Sequence, residues 1–328
     1  MKFKNILHRI FFFTLIIMPF NVFAYSNYIV PGGDNVGIEV NTKEILVVGF
    51  YNVNGKNIAS SAGFNLGDRI IKVNNENISS INDMVVKINK TVKNNSVIFT
   101  VKRDNYEKDI TLNIFKDEDN VYKTGLYVKD KISGVGTLTY IDPETNIYGA
   151  LGHEIIESNT GIKIDVRDGK IFKSDVTGIN KSDNSNTGEK KAKLDESVIY
   201  GNIIENTKKG IFGKYSGKYE KNNLLKVGSP NDIKIGPAVI KTVLNKNEIK
   251  DYSINIIKIN NESDSKNILF EITDKELISK TNGIIKGMSG SPIIQNNMIV
   301  GAVTHAIVND SNKGYGIFIT TMLKEGEN

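Results

Sequence analysis

The chain has 328 residues, 39% hydrophobic and 24% charged, with a formal charge of +5 and no cysteine. That length and balance describe a folded protein of two domains and exclude a disordered tail, while the missing cysteines exclude disulfides, thiolate metal centres and a cysteine nucleophile. The charge falls to +2 without Lys2, Lys4 and Arg9, and no basic cluster is interleaved with aromatics, so nucleic acid is excluded as a partner.

Those three basic residues precede an apolar stretch, Ile10 to Phe20, which ends in Val22-Phe23-Ala24. The pattern reads as a signal peptide over residues 1–24 and therefore as an exported protein. The apolar run is about half the roughly 20 residues that a spanning helix needs. Left uncleaved, it would tether the protein to the membrane.

From Tyr28 to Phe115 the pattern is mixed. The runs ILVVGF, RIIKVN and SVIFTVKR are short, β-branched and bounded by turn residues, which predicts strands. Between the last two, Ser80 caps a predicted helix whose residues Ile81, Met84, Val85, Ile88 and Val92 share one apolar face. The order SAGFNLGDRIIKVNNENI, then a helix, then two strands resembles a bacterial-type PDZ domain, with Gly67-Asp68 before the strand ending in Val73-Asn74. The resemblance implies a peptide groove opened by a glycine loop. NVGIEV is the candidate, with the N–H groups of Val36, Gly37 and Ile38 holding the C-terminal carboxylate of a peptide that adds as a strand.

Residues 116–130 are polar and charged and read as a linker between a PDZ-like domain at 28–115 and a second domain at 131–328. In the second domain, short apolar runs alternate with turn signals, and few windows have a helical period. This predicts one or two β-barrels, so the fold class is mainly β with a small α+β part. The stretch NKSDNSNTGEKKAK, residues 180–193, has no apolar period and reads as a surface excursion.

A hydroxyl becomes a useful nucleophile only beside a base, with donors aimed at the oxyanion it creates. GMSGSP, residues 287–292, meets the second need locally. Gly287 and Gly290 permit a sharp turn in which the N–H groups of Gly287 and Ser289 converge, and Pro292 begins a strand where a missing donor is tolerated. The spacing is similar to the nucleophile turn of chymotrypsin-clan serine peptidases, with Ser289 as the nucleophile. Of the three histidines, His8 lies in the leader, His153 ends a predicted hairpin built on Asp142-Pro143, and His305 sits inside an apolar strand. His153 is the better-placed base. For the acid, Asp274, Asp142, Asp165 and Asp310 all compete, and Asp274 also reads as part of a helix cap.

Taken together, the leader, the PDZ-like part placed first, YGALGHEI, EITDKEL and TNGIIKGMSGSPIIQ running into GAVTHAIVND resemble the stage IV sporulation protein B peptidases. The resemblance implies a PDZ domain followed by a chymotrypsin-like double β-barrel, with His153, Asp274 and Ser289 as the triad and no metal or cofactor. It further implies release into the space between the two forespore membranes, self-cleavage, and cleavage of a membrane-associated regulator that triggers a late mother-cell sigma factor. Two other readings remain open on sequence: a non-catalytic PDZ scaffold, and an exported quality-control protease of the HtrA type. The latter places its PDZ domains after the protease. Met288 stands where trypsin-like enzymes carry an aspartate, which excludes activation through an ion pair with a new N-terminus.

Overall fold

The computed structural model describes residues 25–327 except 105, 184, 185, 221 and 308, so the predicted signal peptide lies outside the described residues. A short strand, β1 (Tyr28–Pro31), leads into the sixteen-residue β2 (Asn35–Phe50). There follow α1 (Ile58–Ala62), β3 (Arg69–Val73), β4 (Glu76–Asn77), α2 (Ile81–Thr91), β5 (Ser96–Arg103) and β6 (Tyr106–Asn113). The pair β7 (Phe115–Lys116) and β8 (Tyr122–Lys123) then gives way to a second sixteen-residue strand, β9 (Leu126–Ile141). The second half of β2 packs with these elements around Ile45, Val47, Phe64, Ile70, Val97 and Phe99.

Local chemistry accounts for this first unit. Ser80 accepts the Asp83 N–H at the start of α2, and Met84 and Ile88 are buried on its inner face as the 3.6-residue period requires. The Gly-Asp turn is fixed by Arg103, whose guanidinium grips both oxygens of the buried Asp68 at 2.7 Å and donates to the Gly63 carbonyl. A fork of this kind is geometrically specific as well as strong.

The remaining strands are β10 (Ile147–Ala150), β11 (Val166–Asn180), β12 (Glu189–Asn202), β13 (Glu205–Thr207) and β14 (Gly210–Lys214), then β15 (Leu225–Val227), β16 (Gly236–Val243), β17 (Ile249–Ile259) and β18 (Ile268–Ile272). Helix α3 (Lys275–Thr281) precedes β19 (Pro292–Gln295), β20 (Met298–Ile307), β21 (Asp310–Phe318) and helix α4 (Ile319–Gly326). A first barrel closes through the first half of β2, β9, β10, β14, β12 and β11. A second closes through β16, β17, β18, β21, β20 and β19. Closure leaves few exposed strand edges, which is how an all-β unit avoids pairing with itself. Between the barrels, α4 buries Ile319, Met322 and Leu323 beside Tyr140, Phe212 and Ile299. The protein is therefore mostly β, a PDZ-like unit followed by a barrel unit, as the sequence predicts.

The join between the units departs from the predicted one. Residues 28–41 lie in the barrels and not in the PDZ-like unit: β1 pairs with β9 and β15, and β2 from Asn35 to Asn41 pairs with β9 on one side and β11 on the other. NVGIEV is therefore no carboxylate loop. Val36, Gly37 and Ile38 are interior strand residues whose backbone partners are already supplied. Gly37 is required for a different reason, because a β-carbon there would come within 2.3 Å of the Phe172 ring. The predicted linker is also ordered, since β7, β8 and the first five residues of β9 occupy most of it.

Candidate active site

The GMSGSP turn is built against β9. Thr137 donates from Oγ1 to the Gly287 carbonyl at 2.7 Å and from N–H to the Ser289 carbonyl at 3.0 Å, and Thr139 Oγ1 donates to the Gly290 carbonyl at 2.8 Å. Gly290 has φ +93, and a β-carbon there would sit 2.1 Å from the Thr137 oxygen, so only glycine fits. Within the turn the amides of Met288, Gly290 and Ser291 donate to Ile285, Val303 and Met288 carbonyls. Among the described residues, the Gly287 and Ser289 amides have no acceptor, which leaves them available to a developing oxyanion. Met288 is buried in the core of the second barrel.

His153 is delivered by the end of β10. After Ala150, Leu151 and Gly152 both adopt the left-handed conformation, at φ 69 and 72, which swings the chain away from β9. A bulky residue there is a genuine outlier, held by the burial of the Leu151 side chain. The His153 Nδ1–H donates to the Glu154 carbonyl at 2.8 Å. Since a carbonyl can only accept, this bond fixes the tautomer and leaves Nε2 as the unprotonated nitrogen. Burial holds the His153 pKa below the usual imidazole value, opposed by the Glu154 carbonyl and carboxylate. The ring of His305 lies 5.2 Å away, centroid to centroid, and its pKa is lowered to about 4 by loss of hydration, with His153 and Lys266 adding to the effect and Glu154 opposing it.

Ser289, Gly287 and His153 line one cleft of about 520 Å³, walled on one side by β9 from Ile132 to Val135 and on the other by the loop after His153. The hydroxyl of Ser289 rests on the Thr304 carbonyl at 2.8 Å. The cleft thus brings together a serine hydroxyl, a neutral imidazole whose Nε2 is unprotonated, and two open amides.

A family model described as SpoIVB peptidase S55 matches residues 120–323, which is more than half of the chain. The chain belongs to the SpoIVB peptidase family. It is a serine peptidase of sporulation with a PDZ domain, whose family model matches residues 35–114. No curated protein matches the chain. Among solved structures, the PDZ domain of an SdrC-like protein from Listeria monocytogenes is 13% identical and covers 28% of this chain and 93% of its own, with a TM-score of 0.24. The Rv3671c protease from M. tuberculosis, in its active form, is 14% identical and covers 57% of this chain and 70% of its own, with a TM-score of 0.31.

In this SpoIVB peptidase family member Asp274, the expected acid, is used as a helix cap. Asp274 caps α3, accepting the Leu277 N–H at 2.9 Å and the Ser253 N–H at 3.4 Å, and it bonds to neither imidazole. The competing aspartates are committed elsewhere too. Asp142 holds Ser26 and the hairpin turn, Asp165 pairs with Arg69, and Asp310 pairs with Lys313. Glu154 follows His153 directly: its backbone carbonyl orients the imidazole, and its charge opposes the lowering of both histidine pKa values. Its position directly after the histidine was the available signal.

A second correction concerns residues 180–193. Ser182 and Lys190 are buried, and Gly188 and Lys190 bond to Lys286 just before the nucleophile turn. The Lys190 stem packs on Gly287, its ammonium donates to Thr242 Oγ1 at 3.0 Å, and burial brings its pKa down to about 7. No periodicity marks this segment, because Lys190 is buried by its partners and not by its own neighbours. A larger cleft, about 630 Å³, lies on the second barrel beside Pro237, Ser253 and Thr273, where neither histidine reaches.

Proposed function

We propose that this chain is an exported serine endopeptidase of sporulation signalling that cuts itself and a membrane-associated regulator, triggering activation of a late mother-cell sigma factor from the forespore intermembrane space. The observation that carries the catalytic part is the shared cleft of Ser289 and His153, with the imidazole in the tautomer a base needs. In this mechanism Ser289 rotates off Thr304 and His153 Nε2 takes its proton. Ser289 Oγ attacks the peptide carbonyl, and the Gly287 and Ser289 amides stabilise the tetrahedral oxyanion. The imidazolium is steadied by the Glu154 carbonyl and carboxylate in the place of an aspartate, and it protonates the leaving amine. Water then repeats the sequence on the acyl-enzyme. The chain's own residues supply each proton transfer in this scheme.

Support for export comes from the leader sequence, and support for a polypeptide substrate from the PDZ domain. The test is labelling of the purified protein with a fluorophosphonate, combined with mass mapping of the mature N-terminus. An adduct on Ser289, and an N-terminus that changes in Ser289→Ala, are expected. A folded wild-type protein that neither labels nor processes itself would leave a peptide-binding scaffold.

A further inference from the structure

From Leu138 onward β9 is flanked on both edges, by β1 with residues 32–34 and by β10. β10 stops at Ala150, opposite Leu138, and the chain leaves at Leu151 and Gly152. At Thr137 that edge is still occupied, by the Leu151 amide and the Ser289 carbonyl, and below it, among the described residues, β9 pairs with β2 alone. Among the described residues, the other edge from Leu126 to Gly136 carries no strand. The burial pattern agrees: every residue from Tyr127 to Val135 is at least partly exposed, whereas β2 beside it is almost wholly buried.

This free edge has two ends of different character. The upper end, Ile132 to Val135, forms one wall of the cleft that holds His153 and Ser289. The lower end lies beside α2, where the Asp130 carboxylate accepts the Ile81 N–H at 2.8 Å. On that helix Val85 falls on the same stripe as Ile81 and Ile88, yet it stays 45% exposed. Gly125, at φ +76, turns the chain into the start of this strand. A glycine turn entering a strand beside a helix, which the sequence predicts at Val36–Ile38, is found instead at Gly125, Leu126 and Tyr127.

We propose that the free edge of β9 is a single continuous track for the C-terminal segment of a polypeptide substrate, which joins the PDZ groove to the catalytic serine and fixes the distance between the substrate's C-terminus and the bond cut. The polarity follows from the fold. β10 runs antiparallel to β9, and a substrate strand that continues its line pairs with successively lower-numbered residues of β9 as it proceeds toward its own C-terminus. Its carboxylate comes to rest at Thr124–Leu126, the end at which strand addition captures a C-terminus. The bond beside Ser289 then lies upstream by the span from Leu126 to Val135, nine residue steps, or about 30 Å at roughly 3.3 Å per residue. Across the track, the Lys129–Glu157 ion pair at 2.8 Å ties the loop after His153 to the strand. The substrate class is a protein with an accessible, extended C-terminus.

This inference rests on the peptidase reading of Ser289, and its test separates the two. The full chain is incubated with a library of free-C-terminus peptides of 20 residues or more, and the lengths of the C-terminal products are read by mass spectrometry. Products clustered at about nine to eleven residues, with clustering lost when the library is C-terminally amidated and in Val85→Lys, support the track. Products of evenly spread length, or clustering indifferent to both changes, overturn it while leaving the peptidase intact. If no product forms, the peptidase reading fails and the track is judged on Ser289→Ala by hydrogen exchange with a fifteen-residue peptide ending in valine. Protection of amides 127–135 by the free acid and not by the amide supports it; no protection on β9 overturns it.

Discussion

Ser289 donates its hydroxyl hydrogen to the carbonyl of Thr304 at 2.8 Å, one residue before His305 on β20. Ser289 thus rests on the second barrel, while His153 is carried by the first. Attack requires a side-chain rotation that gives up one hydrogen bond, worth about 1 kcal/mol net. Ser289→Ala is expected to lose roughly 10⁴-fold or more in kcat/KM and all fluorophosphonate labelling. Its thermal unfolding midpoint should stay within a few degrees of wild type, which scanning calorimetry checks.

His153 and His305 should differ sharply. His153→Ala removes the base and is expected to cost roughly 10⁴-fold in kcat/KM. His305→Ala leaves the base but opens its ring to water. With the burial of His153 relieved, the acid limb of the pH–rate profile should move upward toward the ordinary imidazole pKa of about 6.5. Because burial lowers the His153 pKa in the wild type, the imidazole is neutral at pH 7, and activity should fall only as pH drops below that ordinary value. Profiles of kcat/KM between pH 4 and 9 decide this; an unmoved acid limb in His305→Ala would count against it.

Asp274 gives the clearest contrast between the two assignments. As a helix cap, Asp274→Asn should be nearly neutral, and Asp274→Ala should cost about 1 kcal/mol of stability. Turnover per folded molecule should stay within a few-fold. A loss near 10⁴-fold in Asp274→Asn would instead restore it as the triad acid. Glu154→Gln is the complementary test, expected to lower kcat by roughly tenfold and shift the acid limb downward, since a carboxylate that raises the His153 pKa is removed.

Lys190 has a pH signature of its own. Its folded pKa is about 7, against roughly 10.4 for an unfolded lysine. Between those values the unfolded chain binds more protons than the folded one, so stability rises with pH across that window and the gain is absent below about 7. The slope is at most about 1.4 kcal/mol per pH unit. It should flatten near 10, where the buried Tyr140 and Tyr148, whose pKa values are raised by burial, begin to oppose it. Urea unfolding at pH 7 and pH 9 should show the rise in wild type and its absence in Lys190→Met.

Where the information was local, the sequence carried it. The Ser80 cap, the α2 stripe, the Gly-Asp turn and GMSGSP are each specified within a dozen contiguous residues, by capping, periodicity and the freedom of glycine at positive φ. That Ser289 and His153 meet in one cleft was also in keeping with the sequence, because a hairpin end and a glycine-rich turn each mark a position where a side chain can be presented. Three assignments failed for one reason. NVGIEV looked like a loop because its glycine serves a contact with Phe172, more than a hundred residues away. Asp274 looked like an acid because a cap and a triad member share a residue type, and Lys190 looked solvated because its burial comes from Thr242 and Gly287.

By itself, the amino-acid order determined that this is a mostly β, two-unit protein with a PDZ-like part first and a serine nucleophile turn near its end. Only the tertiary structure decided that β2 and β9 run unbroken through both units, that Asp274 caps α3, and that Ser289 and His153 line one cleft. Propensity and turn chemistry act between neighbours in the chain, whereas strand partners and burial are settled by whatever distant segment completes the core.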